Sequence, residues 1–211
     1  MHSRETPSAS AGRVIETDHR HRRHSITPPK NALHALGRSL QNTLESSIAK
    51  VSIYGDPPVY SPDSFPWVAE VESGWRSIRS ELDQVMKFRD AIPSFHEILK
   101  EAGTITRDDQ WKTYFLSGIG MDCTENAKRC PETKRLLGKI PGVKTAFFSI
   151  LSPRKHIPAH RGAFNGVLRL HLGLQVPHPA EKCRIRIAND FYNLAIQLTT
   201  VPPTGSGLGH G

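Results

Sequence analysis

Helical periodicity early in the chain, strand alternation late in it and no βαβ interleaving predict an antiparallel sandwich flanked by helices. Between residues 40 and 85, apolar side chains recur in steps of three and four. From residue 143 onward, short apolar runs alternate with polar residues and are separated by Pro, Gly and Asn. No internal repeat is visible.

The elements follow in order. Leu40, Leu44, Ile48 and Val51 share one face of a helix and predict a short amphipathic segment. Gly55-Asp56-Pro57-Pro58 then breaks the chain. Asp63 or Ser64 is placed to cap the next helix, with Pro66 tolerated in its first turn. Val68, Val71, Trp75, Ile78, Leu82 and Val85 form a stripe that reads as a core face, and Pro93 ends any helix reaching Ile92. The aromatic and β-branched run Trp111–Leu116 predicts a strand. Pro131–Leu137 predicts a helix, with Pro at its start and Gly138 and Pro141 beyond its end. Val143–Leu151, Val167–Val176 and Cys183–Ile187 complete the expected strands.

Composition divides the 211 residues into three parts. Residues 1–60 form a basic leader, expected to be largely disordered apart from the short helix, because its first thirty residues hold few apolar side chains to offset chain entropy. Residues 61–190 carry the candidate domain. Residues 191–211 form a tail without one Asp, Glu, Lys or Arg, although the ten residues before it hold five charges. The formal net charge of +8 and the cluster His19–His24 (HRHRRH) predict weak, non-specific association with polyanions. No aromatic stacking platform accompanies that cluster, so nucleic-acid association is a rival reading without a recognition motif behind it. No apolar run approaches the ~20 residues that span a bilayer, and no secretory signal is visible. The expected compartment is therefore intracellular and soluble, cytoplasmic first, with organellar import left open. Glu5, Glu16 and Asp18 count against a transit peptide. Cys123, Cys130 and Cys183 form no CxxC pair and are expected to be reduced.

Chemistry concentrates between Thr145 and Ile187. In VLRLHLGL, Leu168, Leu170, Leu172 and Leu174 fall on one strand face, while Arg169 and His171 share the other, about 7 Å apart. Leucines on one side with Arg and His together on the other describe either a solvated face or an anion site. His160 lies in the preceding loop, followed by the turn-permitting Gly162 and Asn165.

These residues, KHIPAHRGAFNGVLRLHLGL followed by CRIRI, resemble the aspartyl/asparaginyl β-hydroxylase family of iron(II)- and 2-oxoglutarate-dependent oxygenases. FPWVAEVESGWRSIRSELDQV, DDQWKTYFL and RCPETKRLLGKIPGVKTAFFSIL resemble the same family upstream, so the likeness runs from about Phe65 to Asp190. It implies a double-stranded β-helix (a cupin-like jelly-roll), mainly β with flanking helices. It also implies His160 as an Fe(II) ligand, Ser149 and His171 on 2-oxoglutarate, and Arg169 on an acidic substrate group. His160-Arg161-Gly162 lacks the carboxylate usual in a two-His, one-carboxylate iron site, a departure the family shares.

The resemblance fails after Asp190. The family's second iron histidine and the arginine that grips 2-oxoglutarate have no counterpart, and His210, in the terminal GLGHG, is a poor ligand candidate. The C-terminal strands are therefore expected to be incomplete, leaving sheet edges unpaired. The expected activity is hydroxylation of an Asp or Asn residue in a protein, or of a lipid acyl chain. The alternatives are a catalytically inactive truncated form and a basic nucleic-acid-associated protein.

Overall fold

The computed structural model describes residues 32–160, 167–193, 196–200 and 208–210. The basic cluster His19–His24 and the turn residues Gly162 and Asn165 lie outside them.

Helix α1 (Ala32–Val51) starts earlier than the Leu40 periodicity predicts and ends where predicted, before Gly55, whose φ of 76° only glycine adopts readily. Strand β1 is Val59–Tyr60, and a single 3-10 turn over Pro62–Ser64 follows. Ser61 caps that turn by accepting from the Asp63 backbone N–H, and neither Asp63 nor Ser64 caps the helix that follows. Helix α2 (Pro66–Ser73) starts behind Phe65 with no side-chain cap and with Pro in its first turn.

The long apolar stripe is two helices, α2 and α3 (Trp75–Met86), broken at Gly74. A Cβ at Gly74 would meet Leu136 Cδ1, so the break lets α6 (Pro131–Leu137) approach closely. Val71, Ile78, Leu82 and Val85 are buried as the stripe predicts, whereas Trp75 is partly exposed with the Arg76 guanidinium 4.9 Å over its ring.

Glu81 fixes α3 to the start of α6. Its carboxylate accepts from the Glu132 N–H (2.8 Å), the Thr133 N–H (2.9 Å) and the Thr133 hydroxyl (2.6 Å). This satisfies donors that a helix N-terminus otherwise leaves to water.

Strand β2 (Trp111–Ser117) pairs antiparallel with β3 (Ala146–Leu151). Tyr114, Leu116, Phe148 and Ile150 face α2, α3 and α6 in the main core, and Leu170, Leu172 and Leu174 pack against the same cluster. The leucine stripe is thus a core face, although Leu168 at its start is exposed. Fully burying a side chain of this size contributes roughly 1.5–3 kcal/mol.

Strand β5 is Leu168–Leu172, shorter than the alternation implies. The two short helices are α4 (Phe95–Ile98), started by a Ser94–Glu97 capping box, and α5 (Thr124–Lys128).

The remaining strands are β4 (Ile157–His160), β6 (Arg184–Ile187), β7 (Asp190–Asn193), β8 (Ile196–Thr200) and β9 (Leu208–His210). They form antiparallel sheets ordered β1-β8-β5 and β4-β9-β6-β7, beside the β2-β3 pair. The protein is a mixed α/β structure with small antiparallel sheets rather than the mainly β molecule expected.

The uncharged tail corrects a second expectation. Its residues form β8, between β1 and β5, and β9, between β4 and β6, so these edges are paired instead of open. Asp190 does not end the pattern; it starts β7, opposite Ile187 in a hairpin. Tails without charge pair readily, because ladder hydrogen bonds come from the backbone and not from side-chain identity.

Candidate anion and metal site

Strand alternation and the core together orient the candidate residues. Phe148 and Ile150 of β3, and Leu170 and Leu172 of β5, point into the cluster beneath the helices. Ser149 on β3 and Arg169 and His171 on β5 therefore lie on the sides of their strands turned away from those helices.

Ser149 stands directly opposite Thr113 in the β2–β3 register, so the two side chains share a face. Its hydroxyl accepts a hydrogen bond from the Trp111 indole Nε1–H at 3.0 Å. Indole nitrogen only donates, so this bond occupies a Ser149 lone pair and leaves the hydroxyl proton for another acceptor. Phe95, delivered by α4, lies 4.4 Å (ring centroids) from Trp111 and holds the indole in place. Thr113 is fully buried, and its Oγ1 has no hydrogen-bond partner among the described residues. An orphan hydroxyl beside Ser149 suits a polar group of a bound ligand.

By sequence alone Trp111 is only a strand-forming aromatic. The register that brings its indole to Ser149 is the missing information, and no local motif carries it.

Arg169 and His171 are half-buried and sit opposite Thr199 and Gln197 of β8. Burial lowers the Arg169 pKa from its ordinary value, because leaving water disfavours the charged form. Among the described residues Arg169 forms no salt bridge. A guanidinium stays protonated under these conditions, so it is a half-buried cation with no ion-pair partner among the described residues. The end of its strand is tied down by Arg79, which donates to the Leu174 carbonyl at 3.0 Å and pairs with Asp83 at 2.9 Å.

His160 ends β4, half-buried, with Nδ1 2.9 Å from the Pro158 carbonyl. A carbonyl can only accept, so Nδ1 donates in this contact and Nε2 is the nitrogen left to face a metal. A backbone carbonyl that fixes the tautomer is the usual second partner of a metal-binding histidine. The loop leading to β4 is anchored by Lys155, whose side chain is only 7% exposed and pairs with Asp108 at 2.7 Å. That pairing holds the Asp108 carboxyl below its ordinary range.

His160 thus fits one coordination position. Among the described residues no group of three His, Cys, Asp or Glu is gathered to hold a metal ion. The backbone of β9 runs beside β4, with Leu208 opposite His160 and His210 opposite Ile157. The backbone of the terminal GLGHG segment therefore approaches the candidate ligand. No step through iron follows from this donor set.

Ser149, His160, Arg169 and His171 all fall within residues 72–195, which match the family model described as Aspartyl/Asparaginyl beta-hydroxylase. The chain belongs to the aspartyl/asparaginyl β-hydroxylase family. It is 49% identical over 145 residues to the ornithine lipid ester-linked acyl 2-hydroxylase of Rhizobium tropici, covering 69% of this chain and 52% of that one. It is 30% identical to aspartate beta-hydroxylase domain-containing protein 2 of Xenopus tropicalis, over 69% of this chain and 41% of that one. Human aspartyl/asparaginyl beta-hydroxylase is 34% identical over 58% of this chain and 16% of its own length. The chain therefore spans about half, or less, of these relatives. Hydroxylation is the activity family members share. Among the described residues no helix is long and apolar enough to cross a membrane.

Proposed function

We propose that this chain carries a 2-oxoglutarate- and Fe(II)-dependent hydroxylase site on a jelly-roll frame, and that its substrate is the acyl chain of an ornithine-type lipid. The observation that carries the site is the half-buried Arg169 guanidinium, without an ion-pair partner among the described residues and sharing a strand face with His171. The lipid substrate is supported by the 49% identity to a lipid acyl hydroxylase, against 35% or less for the aspartyl/asparaginyl and domain-containing relatives.

In this reading Ser149 donates its hydroxyl proton to a carboxylate oxygen of 2-oxoglutarate, with Trp111 holding the serine from behind. His171 binds the same cosubstrate. Arg169 takes an acidic group of the substrate, for which the amino-acid headgroup of an ornithine lipid offers a carboxylate. His160 supplies one imidazole to the metal, which when bound provides the oxygen chemistry of the reaction.

Equilibrium binding of 2-oxoglutarate to the full chain tests the site. Saturable binding, weakened by about tenfold or more in His171→Ala and in Ser149→Ala, is the expected result. Equal affinity in wild type and both variants would remove the site.

A second reading has its own support: among the described residues no group of three His, Cys, Asp or Glu gathers to hold iron, and affinity depends on ligand number and fixed geometry. In that reading the chain is a C-terminally divergent, catalytically inactive form. Stoichiometric, tight Fe(II) binding by the purified chain would contradict it.

A further inference from the structure

We propose that α1 is a docking helix that lays the protein on an anionic lipid bilayer. The proposal stands apart from the hydroxylase reading, because α1 precedes the family-matched residues 72–195.

Leu40 is 62% exposed, Leu44 57% and Val51 79%, and Ile53, just past the helix, is 88% exposed. With partly exposed Ile48, the helical residues fall within about 80° of one another at 100° per residue, forming a single apolar face. Solvent exposure of so many aliphatic side chains on one short element marks a contact surface.

The rest of α1 suits the plane of a membrane. Asn42 and Ser46, both small and uncharged, lie on the opposite face. Thr43 and Ser47, which border the apolar face, already donate to the Ser39 and Thr43 carbonyls at 3.0 and 2.9 Å. Hydroxyls bonded within the helix cost little to bury, since no donor is stranded in hydrocarbon. Lys50, exposed in the last turn about 120° from the centre of the apolar stripe, carries its positive charge toward the polar side of the helix.

Charge chooses the partner. Residues 1–54 hold eight Lys or Arg against four Asp or Glu, a positive balance drawn to an anionic surface. A second copy of the same helix would meet that charge with like charge.

The helix is joined to the candidate site through aromatic rings. Tyr54 lies 5.0 Å from Phe65, and Phe65 belongs to the cluster of Tyr60 and Val68 against which Leu170 packs. Leu170 is the residue between Arg169 and His171.

The test is co-sedimentation of the full chain with vesicles of phosphatidylcholine containing phosphatidylglycerol, compared with pure phosphatidylcholine. The wild type is expected in the pellet with anionic vesicles. Leu40→Asp/Leu44→Asp should lower its partitioning by roughly tenfold or more. Asn42→Asp/Ser46→Asp makes the same change of charge on the polar face and should retain most of the binding. Circular dichroism of each variant checks that the exposed substitutions leave the helix content unchanged. A wild type that stays in the supernatant overturns the proposal. Equal loss in both double variants overturns it too, since charge alone would then explain binding. So does a wild-type dimer in sedimentation equilibrium that Leu40→Asp/Leu44→Asp dissociates, because the face would then be covered by a second copy.

Discussion

The Trp111 indole N–H donates to the Ser149 hydroxyl at 3.0 Å across the β2–β3 ladder, and this bond decides which way the serine can use its own proton. With one lone pair engaged from behind, Ser149 is set as a donor toward a carboxylate. Trp111→Phe removes the donor and preserves most of the ring packing on Phe95. It should raise the dissociation constant for 2-oxoglutarate about threefold to tenfold, the worth of one hydrogen bond, with a small change in Tm. Titration of wild type and variant checks this; an unchanged constant would make the bond purely structural.

Arg169→Lys keeps the positive charge and loses the planar fork. On a partly buried strand face the loss of a two-pronged contact should weaken binding of the acidic substrate by about tenfold or more. Affinity for 2-oxoglutarate should move less. Comparing the two ligands on this one variant separates a substrate contact from general damage.

Glu81→Ala strands two backbone donors and one hydroxyl at the start of α6. Removing a charged acceptor of this kind should cost about 1.5–3 kcal/mol in urea unfolding. Asp83→Ala, which breaks only the exposed pair with Arg79, should cost less than about 1 kcal/mol.

Alkaline pH should destabilise the fold. Burial pushes the Cys130 thiol from its ordinary 9.0 to about 11, with the nearby Glu81 carboxylate adding to the shift. Burial also raises Tyr60, Tyr114 and Tyr192 above their ordinary 10.0. These acids ionise more easily in the unfolded chain, so their stabilisation is present below their ordinary values and is lost as pH rises above them, for Cys130 as it passes through about 11. Urea midpoints measured from pH 8 to 11 should fall steadily over that range. Native-state alkylation with iodoacetamide at pH 8 should label Cys123 and Cys183, both partly exposed, before the fully buried Cys130.

The sequence was most legible where one element decides its own shape. Pro131–Leu137 is a helix with the predicted bounds, and the leucines of VLRLHLGL face the core from Leu170 onward. Gly74 was silent because a glycine inside an apolar stripe does not disturb the period; its role depends on Leu136, sixty-two residues away. The tail misled for a related reason. Lack of charge says nothing about backbone pairing, and β8 finds its partners in β1 and β5, both distant in sequence. At the site, residue types and strand parity marked Arg169 and His171, and the carbonyl that orients His160 lies only two residues away. The Trp111–Ser149 bond, spanning thirty-eight residues, is a tertiary fact.

The most direct measurement is mass spectrometry of an ornithine lipid after incubation with the full chain, Fe(II), 2-oxoglutarate and O₂. The Rhizobium tropici relative run alongside serves as the positive control. The account predicts that one oxygen atom is added to the ester-linked acyl chain, with succinate formed, and that His160→Ala abolishes both. Unmodified lipid with this chain, under conditions where the relative hydroxylates it, would contradict the account and make the non-catalytic reading the leading one.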